Sequence, residues 1–185
     1  MALIRRVLLS DADFPLGFRF HPTDVELLLY YLAPKLKGEN LPSSELIMDF
    51  LDVYQRDPDQ LPLDQFKHAR EKEAYFFTRE EIKNSAGEGP VRTTPSGYWK
   101  AYREDVAIYR DGKIIGFKNK FLFYRGNDPN GTQTDWKMTE YVCNPCWIAT
   151  TSTTRVESYV VCKVRLKMRV EEDESFLEEE NGFIE

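Results

Sequence analysis

The sequence predicts an α+β fold, a twisted antiparallel β-sheet flanked by a few short helices. Three observations lead there. Apolar and aromatic residues recur at strand spacing in several short runs bounded by turn residues. Two of those runs, 106–109 and 114–124, are joined through Asp111-Gly112, a strong short-range hairpin signal because both turn positions need positive φ. Helical signals are confined to short stretches, two of them opened by capping-box patterns.

Taken in order, residues 14–22, FPLGFRFHP, are apolar and broken by Pro15, Gly17 and Pro22, which makes them extended. Thr23-Asp24-Val25-Glu26 reads as a capping box and starts a helix that runs from about Asp24 to Ala33, where Pro34 opposes continuation. Leu27, Leu28, Leu29, Tyr30, Tyr31 and Leu32 clothe this helix nearly all round, so it should be buried on several sides, by its own core or by a second subunit. A short helix is expected near Ser44–Met48, a brief strand at Val53-Tyr54 and a second short helix from Asp57-Pro58. Glu73–Phe77 reads as a strand. Thr78-Arg79-Glu80-Glu81 repeats the capping pattern and predicts one or two helical turns, and 84–95 reads as a flexible loop.

The hairpin that follows carries the most information. Side chains two apart on a strand share a face. Ile115, Phe117, Phe121 and Phe123 point one way and build a core, while Lys118 and Lys120 point the other. In the segment before the hairpin, Lys100 and Tyr102 share a face opposite Trp99 and Ala101. Such a strand is suited to touching a phosphate backbone or a groove floor, although the wet side of an antiparallel sheet has the same pattern. Residues 126–131 form a turn-rich connection, and 134–142 and 156–166 read as strands separated by a Thr- and Ser-rich loop at 149–154. The divisions expected are an extension at 1–13, a domain at 14–168, and an acidic tail at 169–185 with the composition of a mobile segment.

The 185 residues suit one domain, and their three cysteines, odd in number and without a secretory signal, point to a reducing interior. No apolar run approaches the roughly 20 residues a membrane helix needs. The net charge of −6, taken as a total, argues against a nucleic-acid partner, but it is unevenly spread. Residues 1–66 carry −5 and 171–185 carry −8, whereas 67–139 carry +4 and 140–170 carry +3. A basic body between acidic ends keeps a polyanion partner open.

Chemistry finds little support. Cys143 and Cys146 have the spacing of half a zinc knuckle, but only Cys162, His21 and His68 remain to complete a tetrahedral site. Neither His stands in a recognisable nucleophile motif, and there is no phosphate-cradling Gly-rich loop. The reading is no enzyme, no metal and no cofactor.

Four ordered blocks carry a family resemblance. FPLGFRFHPTDVEL (14–27) resembles the opening of the plant NAC domain, and GYWKA (97–101) its central signature. GFKNKFLFYRG (116–126) followed by TDWKMTEY (134–141) resembles its third block, and VVCKV (160–164) its closing strand. The resemblance implies a plant nuclear transcription factor that binds double-stranded DNA as a homodimer, or as a heterodimer with related NAC domains, with other regulatory proteins as further partners. An outer strand of each subunit would enter the major groove. On that reading Arg92 is a DNA contact from the loop, Lys100, Tyr102 and Arg103 lie in or along the groove, and Lys118, Lys120 and Arg125 neutralise phosphates. The resemblance also implies that residues Phe14, Leu16, Phe18, Arg19 and Phe20 pair with their symmetry mates, with Arg19 bonded to Glu26 of the partner subunit. The capping box makes a rival claim on that same carboxylate.

Departures from the family pattern bear on DNA binding. The signature usually continues Thr-Gly, then a small or basic residue, Asp and Lys; here stand Tyr102, Arg103, Glu104, Asp105 and Val106. Asn119 occupies the second place of a usually basic pair, and the loop that commonly carries lysines reads Asn127, Asp128, Pro129, Asn130. At the amino end Leu16 replaces a Pro and Val25 an acid. The alternative these changes favour is a NAC-like module with a weakened DNA grip, acting through other proteins.

Overall fold

In the computed structural model, residues 14–41, 46–66, 68, 72–79, 92–148 and 159–167 are described. The expectations for 1–13, for 80–91, for the 149–154 loop and for the tail lie outside them.

Thr23 caps the first helix as expected. Its hydroxyl accepts from the Glu26 N–H at 3.2 Å, and its own N–H donates to Glu26 Oε2 at 2.8 Å. Helix α1 is a composite: an α-helical start (Asp24–Glu26), a wider π-helical stretch (Leu27–Leu32) and an α-helical end (Ala33–Leu36). It therefore passes through Pro34, contrary to the sequence expectation. The wide turn sets Pro34 among the first positions of a fresh α turn, where a missing N–H removes no bond. Leu27, Leu28 and Leu32 are fully buried, whereas Tyr30 is half exposed, so one side of α1 faces outward.

Seven strands form one sheet in the order β1-β2-β7-β6-β5-β4-β3. They are β1 (Met48–Asp49), β2 (Glu73–Arg79), β3 (Arg92–Thr93), β4 (Gly97–Arg110), β5 (Lys113–Arg125), β6 (Thr132–Cys143) and β7 (Tyr159–Leu166). All neighbours are antiparallel except β1 and β2. The turn between β4 and β5 has φ of 50° at Asp111 and 73° at Gly112, as the hairpin signal required.

Several local expectations are corrected. Met48 belongs to an edge strand paired with Phe76, not to a helix, because Leu46 and Ile47 just before it are drawn into the core. Val53–Gln55 is a 3₁₀ turn rather than a strand, since β1 already occupies that sheet edge; further 3₁₀ turns lie at Pro58–Gln60 and Leu63–Gln65. Thr78 and Arg79 extend β2 instead of capping a helix, and the Thr78 hydroxyl donates to the Leu51 carbonyl at 2.9 Å. The loop expected at 84–95 contains β3.

Both faces of the sheet are covered, which explains why β2 is buried along nearly its whole length. One core packs Leu27, Leu28 and Leu32 of α1 on Tyr75, Phe77, Tyr141 and Val161. The other packs Val53, Tyr54 and Leu61 on Phe76, Trp99, Phe121, Phe123 and Met138. Gly116 marks how closely α1 approaches: a Cβ there would stand 2.6 Å from Leu28 Cδ1.

Candidate nucleic-acid interface

Strand β4 begins buried at Gly97–Trp99 and then comes out of the protein: Lys100, Tyr102, Arg103, Glu104 and Asp105 are all exposed. Its pairing with β3 ends at Trp99, so among the described residues β4 has no outer neighbour from Lys100 onward. Three register shifts interrupt its pairing with β5, and two of them fall in this exposed run, one between Ala101 and Arg103 and one between Arg103 and Val106. The first corrects the simple alternation. Skipping Tyr102 sets Arg103 opposite Lys120, so Arg103 shares a face with Lys100, whose partner is Leu122.

The second bulge is held from inside. Asp105 takes φ of 50°, a left-handed conformation that short polar side chains tolerate. Its N–H donates to Asn119 Oδ1 at 2.8 Å, and Asn119 Nδ2 donates to Glu140 Oε1 at 2.8 Å. Glu140 Oε2 in turn accepts from Arg92 Nη2 at 2.9 Å and from the Tyr54 hydroxyl. Burial foremost, then the neighbouring Cys162 and Glu140, keeps the Tyr54 phenol protonated well above its ordinary range.

This network removes Arg92 from the interface expected of it. Its side chain is 4% exposed, lies on β3 rather than in a loop, and stacks between Tyr54 and Phe121 at 3.8 Å and 4.6 Å. A guanidinium buried between two rings and ion-paired to Glu140 does not reach a phosphate. Other cations are engaged but reachable. Lys118 pairs with Asp24 at the start of α1, where Tyr141 also donates to Oδ1 at 2.9 Å. Arg125 holds Asp59 at 2.7 Å and Ser96 Oγ at 3.2 Å while half exposed. Burial, then the charges of Lys118 and Arg103, lowers the Lys120 ammonium from its usual range.

The foot of β4 is pinned by Asp57, which accepts from the Thr94 hydroxyl and from the Ser96 N–H at 3.1 Å. Burial alone would raise this carboxyl, but those hydrogen bonds and the Arg125 charge bring it below its usual range. At the amino end Phe14 and Phe18 stack at 4.5 Å against His68, Phe20 is buried, and Leu16 is fully exposed. A cleft of about 260 Å³ lies alongside, lined by Phe18, Arg19, Phe20, Glu26, Tyr30 and Tyr31. Cys143, Cys146 and Cys162 are not in disulfides, and among the described residues no three His, Cys, Asp or Glu side chains converge as a metal site.

Residues 15–143 match the family model described as No apical meristem (NAM) protein. This chain belongs to the NAC family. It is 40% identical over 176 residues to NAC domain-containing protein 2 of Solanum lycopersicum, an alignment covering 89% of this chain and 62% of that protein. Similarity to NAC transcription factor 29 of Arabidopsis thaliana is 37% over 179 residues, covering 95% and 64% respectively. For NAC domain-containing protein 83 of Arabidopsis thaliana it is 41% over 157 residues, covering 84% and 59%. The chain thus spans less than two thirds of the length of each of these plant relatives.

Within this NAC domain, sequence reasoning missed the roles of Asn119 and Glu140. A signal for both was present. Asn119 lies on the inward parity of β5 with Phe121 and Phe123, and Glu140 on that of β6 with Met138 and Val142. Polar residues in an apolar series need partners when buried.

Proposed function

We propose that this NAC domain reads double-stranded DNA as a dimer, with β4 in the major groove, and acts in the nucleus as the DNA-binding part of a transcription factor. The observation that carries the reading is the exposed, one-sided run of β4 from Lys100 to Asp105, raised on a hairpin whose base is buried. A two-stranded ribbon fits a major groove of about 12 Å. Lys100, Tyr102 and Arg103 would meet the groove, Arg103 contacting a guanine edge through two hydrogen bonds. Lys118, Lys120 and Arg125 would meet phosphates, the first and last by exchanging Asp24 and Asp59 for them.

Selection of bound sites from a random duplex library tests this. The wild type should enrich a defined site. Arg103→Ala should flatten the preference, with a loss of about 1–3 kcal/mol of discrimination at one position. Enrichment unchanged in both Arg103→Ala and Glu104→Lys would take β4 out of the groove. The internal acids on Lys118 and Arg125 also favour the second reading, a NAC module that acts through other proteins. Absence of any mobility shift with random duplex at low salt is its signature.

A further inference from the structure

Strand register places more cations beside β4 than the hairpin alone carries. Reading across the sheet, Arg103 is opposite Lys120, Lys120 opposite Thr139, and Thr139 opposite Lys163. Two residues along, Lys100 is opposite Leu122, Leu122 opposite Lys137, and Lys137 opposite Arg165. Directly opposed residues of antiparallel strands share a face. Six cations therefore stand in two rows across β4, β5, β6 and β7. At strand spacings of about 4.8 Å the band runs roughly 14 Å, with rows about 7 Å apart. It lies on the face that carries α1, since Lys118 is opposite Tyr141 of the α1 core and ion-paired to Asp24.

The acids on this face stand at its margins. Glu73 is opposite Arg165 on β2 and holds Lys163 at 3.2 Å, Asp24 holds Lys118, and Asp135 lies two residues before Lys137. Lys137 and Arg165 make no ion pair among the described residues. The lowering of the Lys120 ammonium, to which Lys118, Arg103 and Arg165 contribute after burial, agrees with cations crowded on one surface.

We infer that this four-strand band is a binding surface for the DNA phosphate backbone, with Lys137 and Arg165 carrying the duplex from β4 across the sheet to β7. The inference rests on the DNA-binding reading above and adds the direction of the duplex: away from Arg125 and over the sheet. A backbone with one charge per roughly 3.4 Å of axis offers about four phosphates over the length of the band.

The test is anisotropy titration of fluorescent random-sequence duplex with the full chain across a salt series. Lys137→Ala/Arg165→Ala should weaken every duplex alike and reduce the salt slope of log affinity by about two units, leaving sequence preference intact. Lys113→Ala, a cation at the hairpin tip, should leave the slope unchanged. Thr139→Lys, between Lys120 and Lys163, should steepen it by about one unit, which keeps the test decisive if the double variant folds poorly. A wild-type slope in both the double variant and Thr139→Lys overturns the band while leaving β4 as reader. No binding of any duplex by the wild type at low salt overturns the reading and the band together.

Discussion

Arg92 and Asp57 show how single residues serve the interface without facing it. Arg92 and Glu140 are both nearly fully buried, so removing one partner leaves the other as an uncompensated charge. Arg92→Ala should cost about 3–5 kcal/mol in urea unfolding, the usual range for breaking such a pair. Arg92→Ala/Glu140→Gln should cost less than the sum of its single changes. Asp57 gives a pH test. Its folded carboxyl titrates below its ordinary value, so its contribution is complete above the unfolded value of about 4 and is lost as pH falls through the lower folded one. The melting-temperature gap between wild type and Asp57→Asn should therefore be constant at neutral pH and close as the pH drops below about 4. A gap that persists in acid would mean that Asp57 acts through its hydrogen-bonding shape and not its charge.

At the scale of the element, β4 combines a rigid foot with a bulged, exposed arm. Trp99 is fully buried against Phe123, while Glu104 and Asp105 are the extra residues opposite Asn119. Asn119→Leu removes the acceptor for the Asp105 N–H and the donor to Glu140 together. It should speed hydrogen exchange at Asp105 and lower stability by about 1–3 kcal/mol, the cost of stranding a buried polar partner. Asp105→Val tests the left-handed backbone itself, where a β-branched residue should cost about 1–2 kcal/mol more than Gly. Equal stability of Asp105→Val and Asp105→Gly would show that the bulge relaxes when Asp is replaced.

For the whole molecule, the dimer proposed above would use the outward side of α1 and the amino-terminal segment as a self-complementary surface. The Thr23 N–H and the Thr23 hydroxyl both donate to Glu26 Oε2, which would leave Oε1 for Arg19 of the partner subunit. The capping box and the intersubunit pair are therefore compatible on one carboxylate. A two-fold interface repeats each contact, so Arg19→Glu places like charges together twice. Light scattering at micromolar concentration should give dimers for the wild type and monomers for Arg19→Glu. Dimers in both would put the interface elsewhere.

The sequence by itself determined the fold class, the hairpin at Asp111-Gly112, the capping box at Thr23 and the shared inward face of Phe121 and Phe123; Ile115, expected on that face, packs instead in the α1 core, because the pairing of β4 with β5 shifts register there. These are local matters, set by turn chemistry, hydrogen-bonding side chains within three residues, and alternation along a regular strand. It also carried enough ordered motifs to name the family. Only the tertiary structure decided that Arg92 is a core residue, because its partners Tyr54, Phe121 and Glu140 come from three separate elements. The bulge that turns Arg103 to the face of Lys100 breaks the period of two on which strand reading depends. Lys137 and Arg165 join that face only through the register of β5, β6 and β7, which long-range pairing sets and no local stretch encodes.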